Sequence, residues 1–139
     1  MQLFDLTFYL FIWISVTTFG QKLPKGFVYL SDIDATIKSE MRYISHNNFI
    51  GKPIDGYQKA TIIVSKPTAI ALKRVQKELL KFNLSLKVFD AYRPQQAVNH
   101  FVRWARVLND TLMKKQYYPE VPKNQLFKLG YIASKSGHT

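Results

Sequence analysis

The sequence predicts an α+β domain with a small mixed or antiparallel sheet and helices packed on it. Three observations carry that expectation. Apolar residues recur at helical spacing between residues 65 and 82, strict alternation follows over Leu84–Phe89, and a second helical stripe runs from Pro94 to Leu108. Helix, strand and helix in that order, with a charged turn between the last two, describe helices lying on a sheet.

The 139 residues suit one domain rather than two, and 47% apolar with 14% aromatic residues can supply its core. Cysteine is absent, which excludes disulfides and thiolate metal ligands but leaves the compartment open.

The first twenty residues carry one charge, Asp5, and an apolar run from Leu6 to Phe19. That run is shorter than the ~20 residues of a membrane-spanning helix. Thr18-Phe19-Gly20 places small residues where a signal peptidase cutting before Gln21 would read them. Residues 1–20 are therefore expected to be a cleaved signal peptide, with export to the periplasm or the exterior and no lasting membrane span. No Lys or Arg precedes the run, so an uncleaved anchor or a misplaced start remains open.

Residues 21–65 read as short strands and turns. Phe27–Leu30 is a short apolar run, Gly51-Lys52-Pro53 and Asp55-Gly56 are turn signals, and Ile62-Ile63-Val64 is a buried-strand candidate. The first long helix is expected to be capped by Ser65, with Pro67 in its first turn. Ala69, Leu72, Val75, Leu79 and Phe82 form its apolar face, and Asn83 ends it. Lys73, Arg74, Lys77 and Lys81 fall mostly on the solvated side. The strand 84–89 puts Leu84, Leu86 and Val88 on one side and runs into Asp90-Ala91-Tyr92-Arg93-Pro94. The second helix, starting near Pro94, should bury Val98, Phe101, Ala105 and Leu108 beside Trp104. A Tyr-Pro-Glu-Val-Pro loop follows at 118–122, and Gly130–Ala133 reads as a final strand.

Without residues 1–20, 20 basic residues face 8 acidic ones, a net charge of +12. Such an excess attracts nucleic acid or anionic polymers. The lysines, however, look scattered singly, without a basic stripe or a nucleic-acid motif, so no nucleic-acid partner is expected.

Two clusters carry chemistry. Arg93 sits between a strand and a proline-started helix, so rigid elements hold it. Its planar fork of donors suits a carboxylate or a developing oxyanion. An Asp90–Arg93 pair that only shapes the turn is an equal reading. Ser136-Gly137-His138 is the second cluster. Catalytic zinc takes three protein ligands. The other histidines, His46 in a polar segment and His100 in the second helix, do not pair with His138 at ligand spacing.

Several segments in order resemble the bacterial D-alanyl-D-alanine dipeptidases of the vancomycin-resistance type. They are Met41-Arg42-Tyr43 with Asn48–Tyr57, Asp90–Pro94 with Ala97-Val98 and Phe101, Trp104, Tyr118-Pro119, and Leu126-Phe127 through Gly130–Ala133 to Ser136-Gly137-His138. The resemblance spans nearly all of the chain after residue 20.

It implies zinc as cofactor and the dipeptide D-Ala-D-Ala as substrate. His138 matches the family's first zinc ligand, and Arg93 the arginine that stabilises the transition state. Ser136 and Tyr131 match pocket positions, and Tyr43 one near the substrate amine. The family pattern continues with an Asp ligand seven residues after that histidine, then a Glu base three residues before a last His ligand. Thr139 ends this sequence first. The expectation is thus the N-terminal part of one zinc dipeptidase domain, with an α+β sheet incomplete at its C-terminus and a fragment inactive alone. The alternatives are a related D,D-carboxypeptidase and an inactive remnant that binds peptidoglycan or D-Ala-D-Ala termini. The sequence leaves the oligomeric state and the cellular role open.

Overall fold

A computed structural model describes residues 23–139. The expected signal peptide lies outside the described residues. Among the described residues, no helix is long and apolar enough to cross a membrane.

The fold is α+β. In chain order it comprises β1 (Phe27–Tyr29), α1 (Leu30–Ile33), β2 (Lys38–Ser39), β3 (Ile63–Ser65), α2 (Lys66–Leu80), β4 (Lys87–Val88), α3 (Gln95–Arg106) and α4 (Lys114–Tyr117). The strands pair in two couples. β1 runs antiparallel to β3 with Val28 opposite Val64, and β2 runs parallel to β4 with Ser39 opposite Val88. Beyond β4 the chain returns to β3, where the Tyr92 N–H donates to Ile63 O at 3.1 Å. The Arg93 N–H then donates to His138 O at 2.9 Å, so the segment carrying Arg93 lies between β3 and residues 136–138.

Helix α2 begins as its sequence dictates. Ser65 caps it by accepting from the Thr68 N–H, and Pro67 occupies the first turn. Asn83 ends it at φ 56°, with the Leu84 N–H reaching back to Leu79 O at 3.1 Å. That left-handed residue closes the helix and satisfies a terminal carbonyl. The buried face is narrower than the sequence suggests. Ala69 and Gln76 are buried and Leu72 and Leu79 partly so, while Val75 and Phe82 are exposed. Gln76 occupies the core side because each of its amide bonds has a partner. Its Nε2 donates to Thr36 O, Thr36 Oγ1 and Ser85 Oγ, and its Oε1 accepts from the Leu86 N–H at 2.8 Å. A buried amide with that many partners carries no desolvation deficit.

Helix α3 buries Ala97, Val98, Phe101, Trp104 and Ala105, at the spacing of one helical face. Leu108, expected in the same stripe, is exposed because the helix ends at Arg106. The expected strand at Gly130–Ala133 is absent as well. The Tyr131 and Ile132 N–H groups both turn back onto Leu126 O, so they join no ladder among the described residues. The strand expected over Leu84–Phe89 shrinks to Lys87–Val88, and Leu84 is exposed.

Two apolar clusters result. One joins Ile50, Ile54 and Leu126 to the buried face of α3, and the other joins Leu30, Met41, Ile62 and Val64 to Ala69 of α2. Tyr43 and Tyr57 pack against both. The 118–122 loop is fixed by Lys114, whose Nζ donates to the carbonyls of Tyr118, Pro119 and Val121 at 3.2, 2.6 and 3.0 Å.

Gly56 sets how closely the loop before it meets α3. Its φ is +86°, and a Cβ there would lie 2.8 Å from Pro94 Cβ, a rigid atom. Gly56→Ala therefore meets both backbone strain and a clash. We expect a loss of about 2–3 kcal/mol, from strain of about 1–2 kcal/mol plus overpacking, read as a lowered denaturation midpoint at unchanged slope.

Candidate functional site

Arg93 stands where the two clusters meet. Its Nε and Nη2 donate to Asp90 Oδ2 at 3.1 and 2.9 Å. Asp90 Oδ1 accepts from Tyr57 Oη at 2.9 Å and from the Ala91 N–H at 2.9 Å. Both carboxylate oxygens are thus occupied, and the carboxylate has no freedom to turn. The guanidinium lies 5.6 Å from the Tyr43 ring centroid and 5.2 Å from that of Phe101, so two aromatic rings flank it. A guanidinium has five N–H donors. Two are committed to Asp90.

The electrostatics follow from this packing. Burial opposes the Arg93 charge, but the Asp90 hydrogen bonds and nearby charge outweigh it and hold its pKa above the ordinary arginine value. Burial, then the charge and hydrogen bond of Asp90, push the Tyr57 phenol far up. Tyr57 therefore remains a donor across the working pH range. Burial also raises Tyr43, against the opposing pull of Arg93.

The guanidinium opens onto a cavity of about 130 Å³ whose walls include Tyr43, Phe49, Phe101, Tyr131 and Ser136. Arg93, Ser136, Tyr131 and Tyr43 were each singled out from sequence, and all four border this one space. His138 is not among its walls. It lies alongside, where its Nδ1 contacts Ala91 O and its N–H donates to Ser136 Oγ at 3.2 Å. A larger cavity of about 710 Å³ lies on the other side of Pro94, between β1 and the start of α3, and reaches none of these residues except through Tyr57.

A carbonyl can only accept, so the contact with Ala91 O assigns the proton of His138 to Nδ1. In the neutral ring Nε2 is then the nitrogen with the lone pair, the arrangement in which second-shell carbonyls commonly hold a metal-ligating imidazole. The fit to a metal goes no further. Among the described residues, no group of three or more His, Cys, Asp or Glu could hold an ion. His46 is exposed, and His100 Nδ1 accepts from the Asp55 N–H at 3.1 Å, tying α3 to the loop at Gly56. One suitable donor is present, and it does not make a zinc site by itself.

Two contributors were not singled out from sequence. Tyr57 fixes the carboxylate that fixes Arg93, and Lys135 adds a second cation to the cavity wall. Tyr57 follows a turn signal, and nothing local shows that it reaches a residue 33 positions away. Lys135 is one exposed lysine among many. The Asp90–Arg93 pair read from sequence as an alternative to function does exist. It engages two of the fork's five donors, so the two readings are compatible.

A cationic fork beside a small cavity with four aromatic walls has the chemistry suited to a carboxylate or to a carbonyl oxygen gaining charge. The comparisons with known proteins are specific about the family. The description of D-ala-D-ala dipeptidases matches residues 24–139. A D-alanyl-D-alanine dipeptidase of Enterococcus faecalis is 37% identical over 117 residues, covering 84% of this chain and 58% of that protein. Proteins of the same name from Streptomyces coelicolor and Enterococcus faecium are each 34% identical, covering 81% and 82% of this chain and 56% of their own lengths. The chain belongs to the D-ala-D-ala dipeptidase family, and it spans a little over half the length of these relatives.

Proposed function

We propose that the whole protein hydrolyses the dipeptide D-Ala-D-Ala to two D-alanines, and that the cavity beside Arg93 receives it. The observation that supports this most is the Arg93 fork, held by Asp90 and Tyr57 at the wall of a cavity of about 130 Å³.

The reaction adds water to the peptide carbonyl. A carbon–oxygen bond forms, and the carbonyl electron pair moves onto oxygen. The carbon–nitrogen bond then breaks, with a proton passing to the leaving nitrogen. In this reading Arg93 holds the oxygen while it is negative, which the Asp90 contacts support by fixing the guanidinium before the charge appears. Tyr43, Tyr131 and Ser136 bound the dipeptide. Lys135 is suited to its C-terminal carboxylate. His138 Nε2 is assigned here as one zinc ligand. Among the described residues no group of three or more ligating side chains accompanies it. Export directed by residues 1–20 belongs to the same reading.

The test is D-alanine release by the whole zinc-loaded protein. D-Ala-D-Ala should be cleaved and L-Ala-L-Ala spared. Binding of the D,D-dipeptide without any release would instead favour a binding remnant.

Tyr57→Phe probes the support of the fork. It removes the donor to Asp90 Oδ1 and leaves every cavity wall in place. We expect kcat to fall about tenfold with KM nearly unchanged, the cost of one hydrogen bond to a charged group. Equal kcat in Tyr57→Phe and the parent would remove Tyr57 from the mechanism.

A further inference from the structure

We propose that the outer face of α2 docks on an anionic phospholipid surface. Lys66, Ile70, Lys73, Arg74, Lys77 and Lys81 follow the spacing i, i+4, i+7, i+8, i+11, i+15. At about 100° per residue these positions fall within one arc of about 100°. All are exposed, and the opposite side of the helix holds Ala69, Leu72, Gln76 and Leu79. Bases that look scattered in the sequence are therefore a stripe on the folded helix.

The stripe is weakly neutralised. Glu78 is the acid within α2, and Lys81 already contacts it at 2.7 Å. Asp32 and Asp34 lie on the α1 flank, where Lys73 donates to Ile33 O at 3.1 Å and Asp34 feels its charge. Among the described residues, no carboxylate lies within ion-pair distance of Lys66, Arg74 or Lys77.

Lipid is favoured over a soluble polyanion by what ends the stripe. Phe82 is 72% exposed, more than any other large apolar side chain among the described residues, and Leu80 and Leu84 beside it are about half exposed. The left-handed Asn83 reverses the chain between Phe82 and Leu84, which makes the pair an apolar tip. A phosphate polymer would engage the bases and leave that tip in water. At a bilayer interface, headgroup phosphates meet the bases while Phe82 and Leu84 enter the acyl boundary.

Vesicles of phosphatidylcholine with and without phosphatidylglycerol, floated with the full chain, test this independently of any dipeptidase activity. Partitioning should require phosphatidylglycerol and weaken with salt. Each base near the surface is worth about a fivefold change, so R74Q/K77Q/K81Q should lose about 100-fold. F82S/L84S should lose about tenfold and retain the salt dependence. The control K52Q/K59Q/K115Q, on other faces, should lose less than about fivefold. These positions are exposed, and circular dichroism should match the parent. A control loss equal to that of the α2 triple would overturn the proposal in favour of net charge alone. Unchanged binding by F82S/L84S would overturn it in favour of polyanion attraction, and binding indifferent to phosphatidylglycerol would also overturn it.

Discussion

Arg93→Ala should lower kcat for D-Ala-D-Ala by about 100- to 1000-fold, the effect of losing one preorganised oxyanion donor group. KM should change far less, because the fork's interaction strengthens only as charge develops on the carbonyl oxygen. Arg93→Lys separates charge from geometry. Lysine keeps the cation but cannot span Asp90 and the cavity with one planar fork. We expect it to recover only about tenfold of the loss. A fall in kcat/KM carried wholly by KM would assign Arg93 to ground-state binding of the substrate carboxylate.

The largest stability effect is expected at Asn48, which is not itself a wall of that cavity. It is 2% exposed and makes four hydrogen bonds. Its Nδ2 donates to Ser45 O and Lys52 O, both at 2.7 Å, and its Oδ1 accepts from the N–H groups of Ile50 and Gly51 at 2.9 and 3.1 Å. This one side chain shapes the loop that delivers Phe49 and Ile50 to the core around α3. Asn48→Ala strands the buried Ile50 N–H, leaves the Gly51 N–H with only the Asn48 carbonyl, and takes the donor from Ser45 O and Lys52 O, each unsatisfied group costing about 1–3 kcal/mol. Relaxation and water entry recover part of that, so we expect a net loss of about 3 kcal/mol. Urea titration followed by aromatic fluorescence measures it, since Phe49 packs against Trp104 at 5.3 Å. A loss below about 1 kcal/mol would show that the loop holds its shape without Asn48.

The sequence made the local signals legible. Ser65, Pro67 and Asn83 bound α2 as their chemistry requires, and the α3 stripe from Val98 to Ala105 is buried. Periodicity overreached wherever the polar member of a face had partners far away. Gln76 is buried through Thr36, 40 positions off, while Val75 and Phe82 turn outward. The strand read at Gly130–Ala133 fails for a related reason. Apolar content suggested a ladder, but the amides of Tyr131 and Ile132 are used within a turn.

The candidate site divides the same way. Arg93 could be picked from its place between two rigid elements, whereas Tyr131, Tyr43 and the pocket role of Ser136 came only through a family resemblance, because nothing in local pattern joins residue 43 to residue 136. The network of Tyr57, Asp90 and Arg93 depends on the fold returning residue 57 to residue 90, which neither spacing nor propensity encodes. The basic face of α2 was legible in principle from helical spacing, but it shows only when the bases are projected on the helix.

In the proposed function the Arg93 cavity holds the tetrahedral state of a D,D-dipeptide. Calorimetric binding of a phosphinate analogue of D-Ala-D-Ala to the whole zinc-loaded protein tests it most directly. The account predicts tight binding that Arg93→Ala weakens about 100-fold or more, with Tyr57→Phe in between. Equal affinity for parent and Arg93→Ala would contradict it.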